Sequence, residues 1–292
     1  MLKIMQIQEI KINDKEFPER VRRIHQPPAA LFMLGELKQE DENAVAIVGA
    51  RKCTAYGRQV AYDLAYELAK RGITVVSGMA LGIDGEAHKG ALDAGGRTLA
   101  VLGSGVDDKS IYPHTHISLA ERISKNGAVL SEFPPGTPSY PSNFPQRNRI
   151  VSALSLGVIV IEAGEKSGSL ITANFALEQG KDVFAVPGPI YSHASAGANL
   201  LIQQGAKLIR NANDILEELN LHLPETRPQK IEPENEEEKL IMDALANETL
   251  SIDDIIKTTR LAPSVALTAL TMLELKKTVK NIGYNTYAVN LP

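Results

Sequence analysis

Short apolar runs alternate with amphipathic stretches through much of the chain, most clearly between residues 157 and 187. There, two continuously apolar runs, 157–163 and 182–187, flank a helical pattern over 169–179. Runs that are apolar at every position are typical of strands buried on both faces of a parallel sheet. This segment therefore predicts a strand, a crossover helix and a second, parallel strand.

The same alternation continues on both sides of this unit. It predicts further strands over 44–49, 73–77, 97–102, 128–131 and 206–209, and helices over 56–70, 117–125, 198–204 and 213–219, with others ending at Asp93 and beginning near Asn143. Repeated βα alternation is typical of an open sheet covered by helices on both faces. The predicted fold is α/β, an extended Rossmann-like doubly wound, mostly parallel sheet.

The remaining segments differ from this core in pattern. Residues 1–43 show little periodicity and are expected to form an N-terminal arm that packs on the main domain, residues 44–220. Residues 221–238 combine prolines and charges without an apolar period, which is typical of a linker. Residues 239–292 predict three helices and a β-hairpin, which together form a small C-terminal winged-helix domain.

The third predicted helix of the winged-helix domain, 263–275, is apolar until Lys276 and Lys277. A helix that reads DNA in the major groove carries polar and cationic side chains toward the bases. The pattern therefore favours a protein-interaction role for this domain.

Composition limits the class of protein. The chain has 292 residues, of which 43% are hydrophobic, enough for one large and one small domain. No apolar run is long enough to cross a bilayer, and the first residues lack the apolar core of a signal peptide. The single cysteine, Cys53, excludes an internal disulfide and a cysteine-based metal cage, and no base that would activate it is evident. We expect a cytoplasmic protein without a membrane partner.

Charge is unevenly distributed along the chain. The net charge of −4 does not by itself favour nucleic acid. Residues 44–210 contain 16 Lys and Arg against 13 Asp and Glu, a net of +3, whereas residues 211–238 contain 2 against 9, a net of −7. The acidity therefore lies mostly in the connecting segment, and the main domain is mildly basic.

Glycine- and hydroxyl-rich loops follow four of the predicted strands, at 49–51, 77–82, 103–105 and 166–169. The carboxyl ends of strands in a doubly wound sheet share one edge, where ligands bind. A single loop of this kind normally reflects only turn geometry. Four of them, together with the cations Arg51, Arg147, Arg149 and Lys166, favour a phosphate-binding surface.

Two common motifs that identify a phosphate ligand are missing from the sequence. Neither the dinucleotide motif Gly-x-Gly-x-x-Gly nor the triphosphate motif Gly-x-x-x-x-Gly-Lys-Ser/Thr is present, which disfavours enzymes of both classes. Phe144 stands beside Arg147 and Arg149, a combination of stacking face and cations that is used on single-stranded nucleic acid. Spacing alone is equally compatible with a Phe144 ring packed into the core ahead of a helix.

Other polar residues are weaker candidates. Asp84, Glu86 and His88 could form an acid–base set, but exposed polar residues on one helix face are the more common explanation. His114 and His116 share a proline-containing loop without further ligands, so no metal site is predicted there.

Six ordered blocks of the sequence resemble the DNA processing protein A family (DprA, also called Smf). The blocks are Gly-Ala-Arg at 49–51, Ser-Gly-x-Ala-x-Gly-Ile-Asp at 77–84, Asn-Phe-Pro-x-Arg-Asn-Arg-Ile at 143–150, Lys-Ser-Gly-Ser-Leu-Ile-Thr-Ala at 166–173, Val-Phe-Ala-Val-Pro-Gly at 183–188 and Asn-Leu-Leu-Ile-x-x-Gly-Ala at 199–206. The similarity runs from about Phe17 through Arg210, and the winged helix resembles the usual tail of the family. Ala50 stands where the family often has serine, so any contact from that hydroxyl is lost here.

The resemblance implies a non-enzymatic protein that binds single-stranded DNA, forms a homodimer and loads the RecA recombinase during natural transformation. It also suggests the single-stranded-DNA-binding protein as a further partner, and neither a metal nor a cofactor. In the family, the arginine after the first strand and the Phe-Pro-x-Arg-Asn-Arg block line the DNA pocket. The expected DNA-binding residues are therefore Arg51, Gly78, Phe144, Arg147, Asn148, Arg149, Lys166, Ser167 and Ser169.

An enzyme is the alternative. The phosphoribohydrolases that act on nucleoside monophosphates have a similar Rossmann-like layout, with a Pro-Gly-Gly-x-Gly-Thr loop before a helix. The corresponding loop here, 164–169, has neither this glycine run nor an obvious glutamate after it. A nucleotide-processing hydrolase is therefore the less favoured function.

Overall fold

The computed structural model describes residues 6–221, 233–246, 248–276, 278–283 and 285–289. The chain forms two compact units, Met1–Pro224 and Glu225–Pro292. Residues 1–5 of the predicted arm, residues 222–232 of the predicted linker, Lys277 and residues 290–292 lie outside the described residues.

A nine-stranded sheet forms the centre of the first unit. Its strands are β1 (Gln8–Lys11), β2 (Ala30–Gly35), β3 (Ala44–Gly49), β4 (Thr74–Ser77), β5 (Thr98–Leu102), β6 (Gly127–Ser131), β7 (Gly157–Ile161), β8 (Asp182–Ala185) and β9 (Lys207–Leu208). Their order is β1-β2-β6-β5-β4-β3-β7-β8-β9, and every pairing from β6 to β9 is parallel. The order proceeds outward in both directions from β3, so the gap between β3 and β7 is the topological switch point.

Helices cover both faces of this sheet. They are α1 (Glu19–Arg22), α2 (Ala55–Lys70), α3 (Ile83–Asp93), α4 (Ile117–Lys125), α5 (Asn143–Ala153), α6 (Gly168–Glu178), α7 (Ala196–Gln203) and α8 (Ala212–Glu218), with 3₁₀ turns at Gln39–Glu42 and His114–His116. Helices α2, α3, α4 and α8 pack on one face, and α5, α6 and α7 on the other. Strand side chains alternate between these layers, since Leu99 and Val101 join one core and Ala100 and Leu102 the opposite one.

Local sequence accounts for these elements. Strands β3 and β7 are buried almost throughout, which explains their continuous apolar runs. Helix α2 begins where the Thr54 hydroxyl accepts a hydrogen bond from the N–H of Gly57. The predicted α/β fold with a mostly parallel sheet is confirmed.

The N-terminal arm is part of the sheet rather than an irregular segment lying against it. Strand β1 pairs antiparallel with β2, and β2 pairs antiparallel with β6. Phe17 is buried, and Arg97 joins the arm through two hydrogen bonds of 2.8 Å to the carboxylate of Asp41. Three of the four residues of β1 are exposed, so this edge strand lacks the apolar pattern from which the other strands were predicted.

The second unit has the predicted winged-helix architecture. It contains α9 (Glu236–Leu245), β10 (Leu250–Ser251), α10 (Ile252–Thr259), α11 (Pro263–Leu275), β11 (Val279–Gly283) and β12 (Thr286–Val289), with strand order β10-β12-β11. Its own core includes Ile241, Ile255, Leu270, Leu273 and Tyr287. Helix α9 begins three residues before the predicted domain boundary, because Asn235 caps it and its acidic first turn suits the helix dipole.

Candidate functional site

A cavity of about 500 Å³ opens beside the switch point, at the carboxyl edge of the sheet. We call it the switch-point cavity. Its walls come from the loops after β3 and β4, the loop containing Tyr112, the segment before α5, and the first turns of α5 and α6. It brings together seven of the nine predicted site residues: Arg51, Gly78, Phe144, Arg147, Asn148, Ser167 and Ser169. The other two, Arg149 and Lys166, do not line it.

Two helix N-termini meet at the switch-point cavity. Helix α5 contributes Phe144 and Pro145 from its first turn, and α6 contributes Gly168 and Ser169. Neither first turn contains an acidic residue. The positive ends of both helix dipoles are therefore left for an anion.

Arg51 provides an accessible cation at this cavity. Its side chain is exposed and forms no hydrogen bond or ion pair with another residue in the described part of the chain. Its guanidinium carbon lies over the ring of Phe144, 4.7 Å from the ring centroid. A cation–π contact of this kind positions the guanidinium without occupying its N–H donors.

The ring of Phe144 is neither a fully open stacking face nor a side chain packed entirely in the core. The residue is half-buried, and its ring contacts Arg51 on one side and Tyr112 on another, where the ring centroids are 5.9 Å apart and the planes are tilted by 56°. Tyr112 was not among the predicted site residues. The sequence of its loop draws attention to His114 and His116, but the aromatic residue directly before Pro113 is also a visible signal.

Arg147 lies in the wall of the cavity but is held by the protein. Only 4% of the residue is exposed. Its Nη1 donates to the carbonyl oxygens of Gly78, at 2.7 Å, and Val101, and its Nε donates to Asn148 Oδ1 at 3.2 Å. Burial lowers its pKa to about 10, so the guanidinium remains charged at neutral pH. Arg147 therefore fastens α5 to the ends of β4 and β5.

Asp84 also bonds the loop after β4, at the same residue as Arg147. Its Oδ2 accepts the backbone N–H of Gly78 at 3.1 Å, while Arg147 donates to the carbonyl of that residue. Burial raises the pKa of Asp84, and the nearby guanidinium of Arg147 opposes this shift. A Cβ at Gly78 would overlap the guanidinium of Arg147, so Arg147 would have to shift to accommodate any larger residue here.

The expectation that the polar residues of α3 are exposed is wrong for two of them. Asp84 and His88 are both buried, because α3 packs against α2 and the sheet. His88 Nδ1 lies 2.6 Å from Thr98 Oγ1, and Glu86 pairs with Lys89 at 2.8 Å. These bonds tie His88 and Glu86 to separate partners rather than to Asp84.

Arg149, one of the predicted DNA-binding residues, is held by protein partners away from the switch-point cavity. Arg149 is 8% exposed and forms a bidentate pair with Glu132, at 2.6 and 2.8 Å. Its Nε also donates to the carbonyl of Gln26 in the arm at 3.1 Å. The charge of Arg149 is thus paired with a protein carboxylate, and its role in DNA binding stays a prediction. Lys166 is exposed and adjoins Ser167 of the cavity wall.

The described residues include no group of three or more His, Cys, Asp or Glu side chains placed to hold a metal ion. Cys53 is half-buried, and burial raises the pKa of its thiol, which makes it a poor nucleophile at neutral pH. In the described ranges, every helix is too short or too polar to cross a bilayer.

Fold and cavity together define a Rossmann-like protein with an arginine-lined cavity at its switch point, followed in the chain by a winged-helix unit. The chain belongs to the DNA recombination-mediator protein A family, whose sequence model matches residues 8–220. A second model, the DprA winged helix domain, matches residues 225–281.

Individual relatives agree with this assignment. The DNA processing protein DprA of Bacillus subtilis is 46% identical over 228 residues, 78% of this chain and 75% of the relative. The X-ray structure of DNA processing protein A from Streptococcus pneumoniae superposes with a TM-score of 0.69 at 40% identity, over 73% of this chain and 74% of that chain. DNA processing protein A from Helicobacter pylori, solved to explain its single-stranded DNA binding mode, gives a TM-score of 0.66 at 33% identity, over 74% and 97% of the chains.

Proposed function

We propose that this protein binds single-stranded DNA in the switch-point cavity and acts as a non-enzymatic recombination mediator. The observation that carries the proposal is the exposed guanidinium of Arg51, held over Phe144 in a cavity that the N-termini of α5 and α6 also line. The relative from Helicobacter pylori, whose structure was determined for its single-stranded DNA binding, supports the same ligand.

The geometry favours an unpaired strand over a duplex. A phosphate at Arg51 would receive the guanidinium donors and the partial positive charge of the two helix N-termini. A base entering the cavity must be free of its stack and its pairing partner, which costs a few kcal/mol in a duplex. A single strand already presents its bases and is therefore the preferred form.

The proposal includes a cellular role. We infer that the protein forms a homodimer in the cytoplasm, protects incoming single strands and delivers them to the RecA recombinase in natural transformation, with the single-stranded-DNA-binding protein as a further partner. These points rest on membership of the family. We assign DNA binding to residues 44–220, with residues 1–43 packed on them. Residues 239–292, beyond the linker 221–238, are assigned to protein contacts.

Two assays on the wild-type protein test the function. Fluorescence anisotropy with a labelled oligonucleotide should give a lower Kd for the single strand than for the same sequence as a duplex. Incubation with nucleoside monophosphates should release no free base. Equal binding of both DNA forms would contradict the proposed site, and base release would favour the hydrolase alternative.

A further inference from the structure

Glu162 bonds both ends of the loop that carries Arg51. The residue directly follows β7, and its backbone carbonyl accepts the N–H of Ala50 at 2.7 Å. Its carboxylate accepts two further hydrogen bonds, from the backbone N–H of Thr54 at 2.8 Å and from the Thr54 hydroxyl. Residues 50–54 connect β3 to α2, so one residue fixes this loop on both sides of Arg51.

The backbone of Glu162 adopts a conformation that is rare for its residue type. Its φ is +44°, in the left-handed region. Residues other than glycine adopt such angles at a cost in free energy, and they keep them where the surrounding structure requires it. The turn at Glu162 directs its carboxylate across the switch point, from the end of β7 to the loop after the neighbouring strand β3.

The carboxylate of Glu162 is buried at the N-terminus of α2. The residue is 5% exposed, and no Lys or Arg in the described part of the chain forms an ion pair with it. A Cβ at Gly57, in the first turn of α2, would overlap this carboxylate, so the two are in close contact. A buried carboxylate is unfavourable unless hydrogen bonds compensate it, and a helix N-terminus favours negative charge. Thr54 and α2 therefore hold the carboxylate in place, and the carboxylate in turn holds the loop.

We propose that Glu162 is a positioning residue for DNA binding, because it fixes the loop from which Arg51 reaches the phosphate. Glu162 does not line the switch-point cavity, so it acts through the loop and not by contact with DNA. With both of its ends fixed, the loop keeps the guanidinium of Arg51 over the ring of Phe144. This inference rests on the proposed binding of single-stranded DNA and adds a residue outside the cavity to that site.

A double-mutant cycle in DNA affinity separates positioning from support of the fold. Glu162→Ala should weaken single-strand binding by roughly 10-fold and reduce the slope of log K against log salt by up to about 0.7, as Arg51→Ala does. The double variant should bind no more weakly than Arg51→Ala alone, because the loop then has no guanidinium to position. Asp41→Asn is the matched control, since Asp41 is a buried carboxylate that bonds Thr74 at 2.9 Å and does not line the cavity. Where it is folded, this control should have the wild-type Kd and slope.

Changes at Thr54 test the same contact if Glu162→Ala folds poorly. Thr54→Val removes the hydroxyl that donates to Glu162 and should lower both the affinity and the salt slope, whereas Thr54→Ser keeps the hydroxyl and should restore both.

The position of Arg51 can also be observed without DNA. In a structure of Glu162→Ala, the guanidinium carbon of Arg51 should lie more than about 6 Å from the centroid of the Phe144 ring, outside the range of a cation–π contact.

Three results would overturn the inference while leaving single-strand binding intact. These are additive losses of affinity in the cycle, a wild-type salt slope in folded Thr54→Val, or an Arg51 guanidinium that remains over Phe144 in Glu162→Ala. A wild-type protein that bound no single strand would instead overturn the proposed function itself.

Discussion

The guanidinium carbon of Arg51 lies 4.7 Å from the centroid of the Phe144 ring. Arg51 follows β3 and Phe144 stands in the first turn of α5, so the contact joins the switch point of the sheet to a helix N-terminus. It fixes the position of the Arg51 guanidinium, and no carboxylate among the described residues lies within ion-pair distance of that guanidinium. This contact is the basis for assigning Arg51 to the phosphate.

Arg51→Ala should weaken single-stranded DNA binding without lowering stability, because the side chain is exposed and its donors are free of protein partners. Loss of one phosphate contact should reduce the slope of log K against log salt by about 0.7. Lys52→Ala is the matched control, since Lys52 is an exposed cation beside Arg51 that does not line the cavity. Anisotropy titrations over a range of salt measure both quantities. If the two variants have the same affinity and slope, Arg51 does not belong to the site.

Arg147→Ala should unfold more easily than the wild type, because its guanidinium is buried and bonded to the protein. The change removes the hydrogen bonds that Arg147 donates to the carbonyls of Gly78 and Val101, and it removes the positive charge near buried Asp84. The expected cost is about 3 kcal/mol of unfolding free energy. Urea denaturation measures it, with Arg51→Ala as the control of equal side-chain size. Wild-type stability combined with weaker DNA binding would restore a direct DNA role.

Arg149 and Glu132 should behave as a structural pair. A double-mutant cycle with Arg149→Ala and Glu132→Ala should give a coupling of about 1–3 kcal/mol in unfolding free energy. In conditions where the variants remain folded, their DNA salt slope should equal that of the wild type, because the pair lies outside the switch-point cavity. A reduced slope in folded Arg149→Ala would show that this cation contacts phosphate.

The buried ring of His88 should make the fold sensitive to acid. Thr98 Oγ1 donates to the carbonyl of Val75 at 2.7 Å, so His88 Nδ1 must donate to Thr98. His88 Nε2 has no hydrogen-bond partner in the described part of the chain. Burial lowers the pKa of His88 from 6.5 to about 3. Below pH 6.5 the unfolded chain therefore binds a proton at this residue that the folded protein rejects.

The stability contributed by His88 is consequently present above pH 6.5 and lost as the pH falls toward 3. From pH 7 to pH 5 this residue should account for a loss of about 2 kcal/mol. The amide of His88→Asn can still donate to Thr98. Between pH 7 and pH 5, this variant should lose about 2 kcal/mol less of its unfolding free energy than the wild type. Urea denaturation at the two pH values provides the comparison, and equal losses in both proteins would be inconsistent with a neutral buried imidazole.

A chain truncated after Leu221 should remain folded and retain single-strand affinity. The two units have separate cores. Helix α11 contains no Lys or Arg and exposes Leu267, Met272 and Leu275, so it offers no cation to DNA. Lys276, which follows the helix, donates to the carboxylate of Glu238 at 2.7 and 2.9 Å. Anisotropy and a melting curve of the truncated protein test this, with any defect confined to a partner-dependent assay. Loss of most affinity in a folded truncation would place the winged helix in the DNA site.

Much of the fold could be predicted because its signals are local. The predicted strand 44–49 and helix 263–275 coincide with β3 and α11, since continuous apolar burial and a proline at the helix start are visible in the sequence. Strand β1 could not be predicted, because it depends on pairing with β2, about 20 residues later, and exposes most of its own side chains.

The cavity could be anticipated from topology, since loops at the carboxyl ends of parallel strands must meet. Whether the charge of each arginine is already paired within the protein could not be predicted. Arg147 bonds Gly78, which is 69 positions away, and Arg149 bonds Glu132, which is 17 positions away. Nothing near these arginines in the sequence shows that their charges are already engaged. Arg51 is the same residue type, yet its side chain is exposed.

The most direct test of the account is a structure of the protein with a short single-stranded oligonucleotide bound. We predict a phosphate within about 3 Å of the Arg51 guanidinium, close to the N-termini of α5 and α6. Arg147 and Arg149 should keep their bonds to Gly78 and Glu132. An oligonucleotide ordered on the winged helix or another surface, with the switch-point cavity unoccupied, would contradict the account.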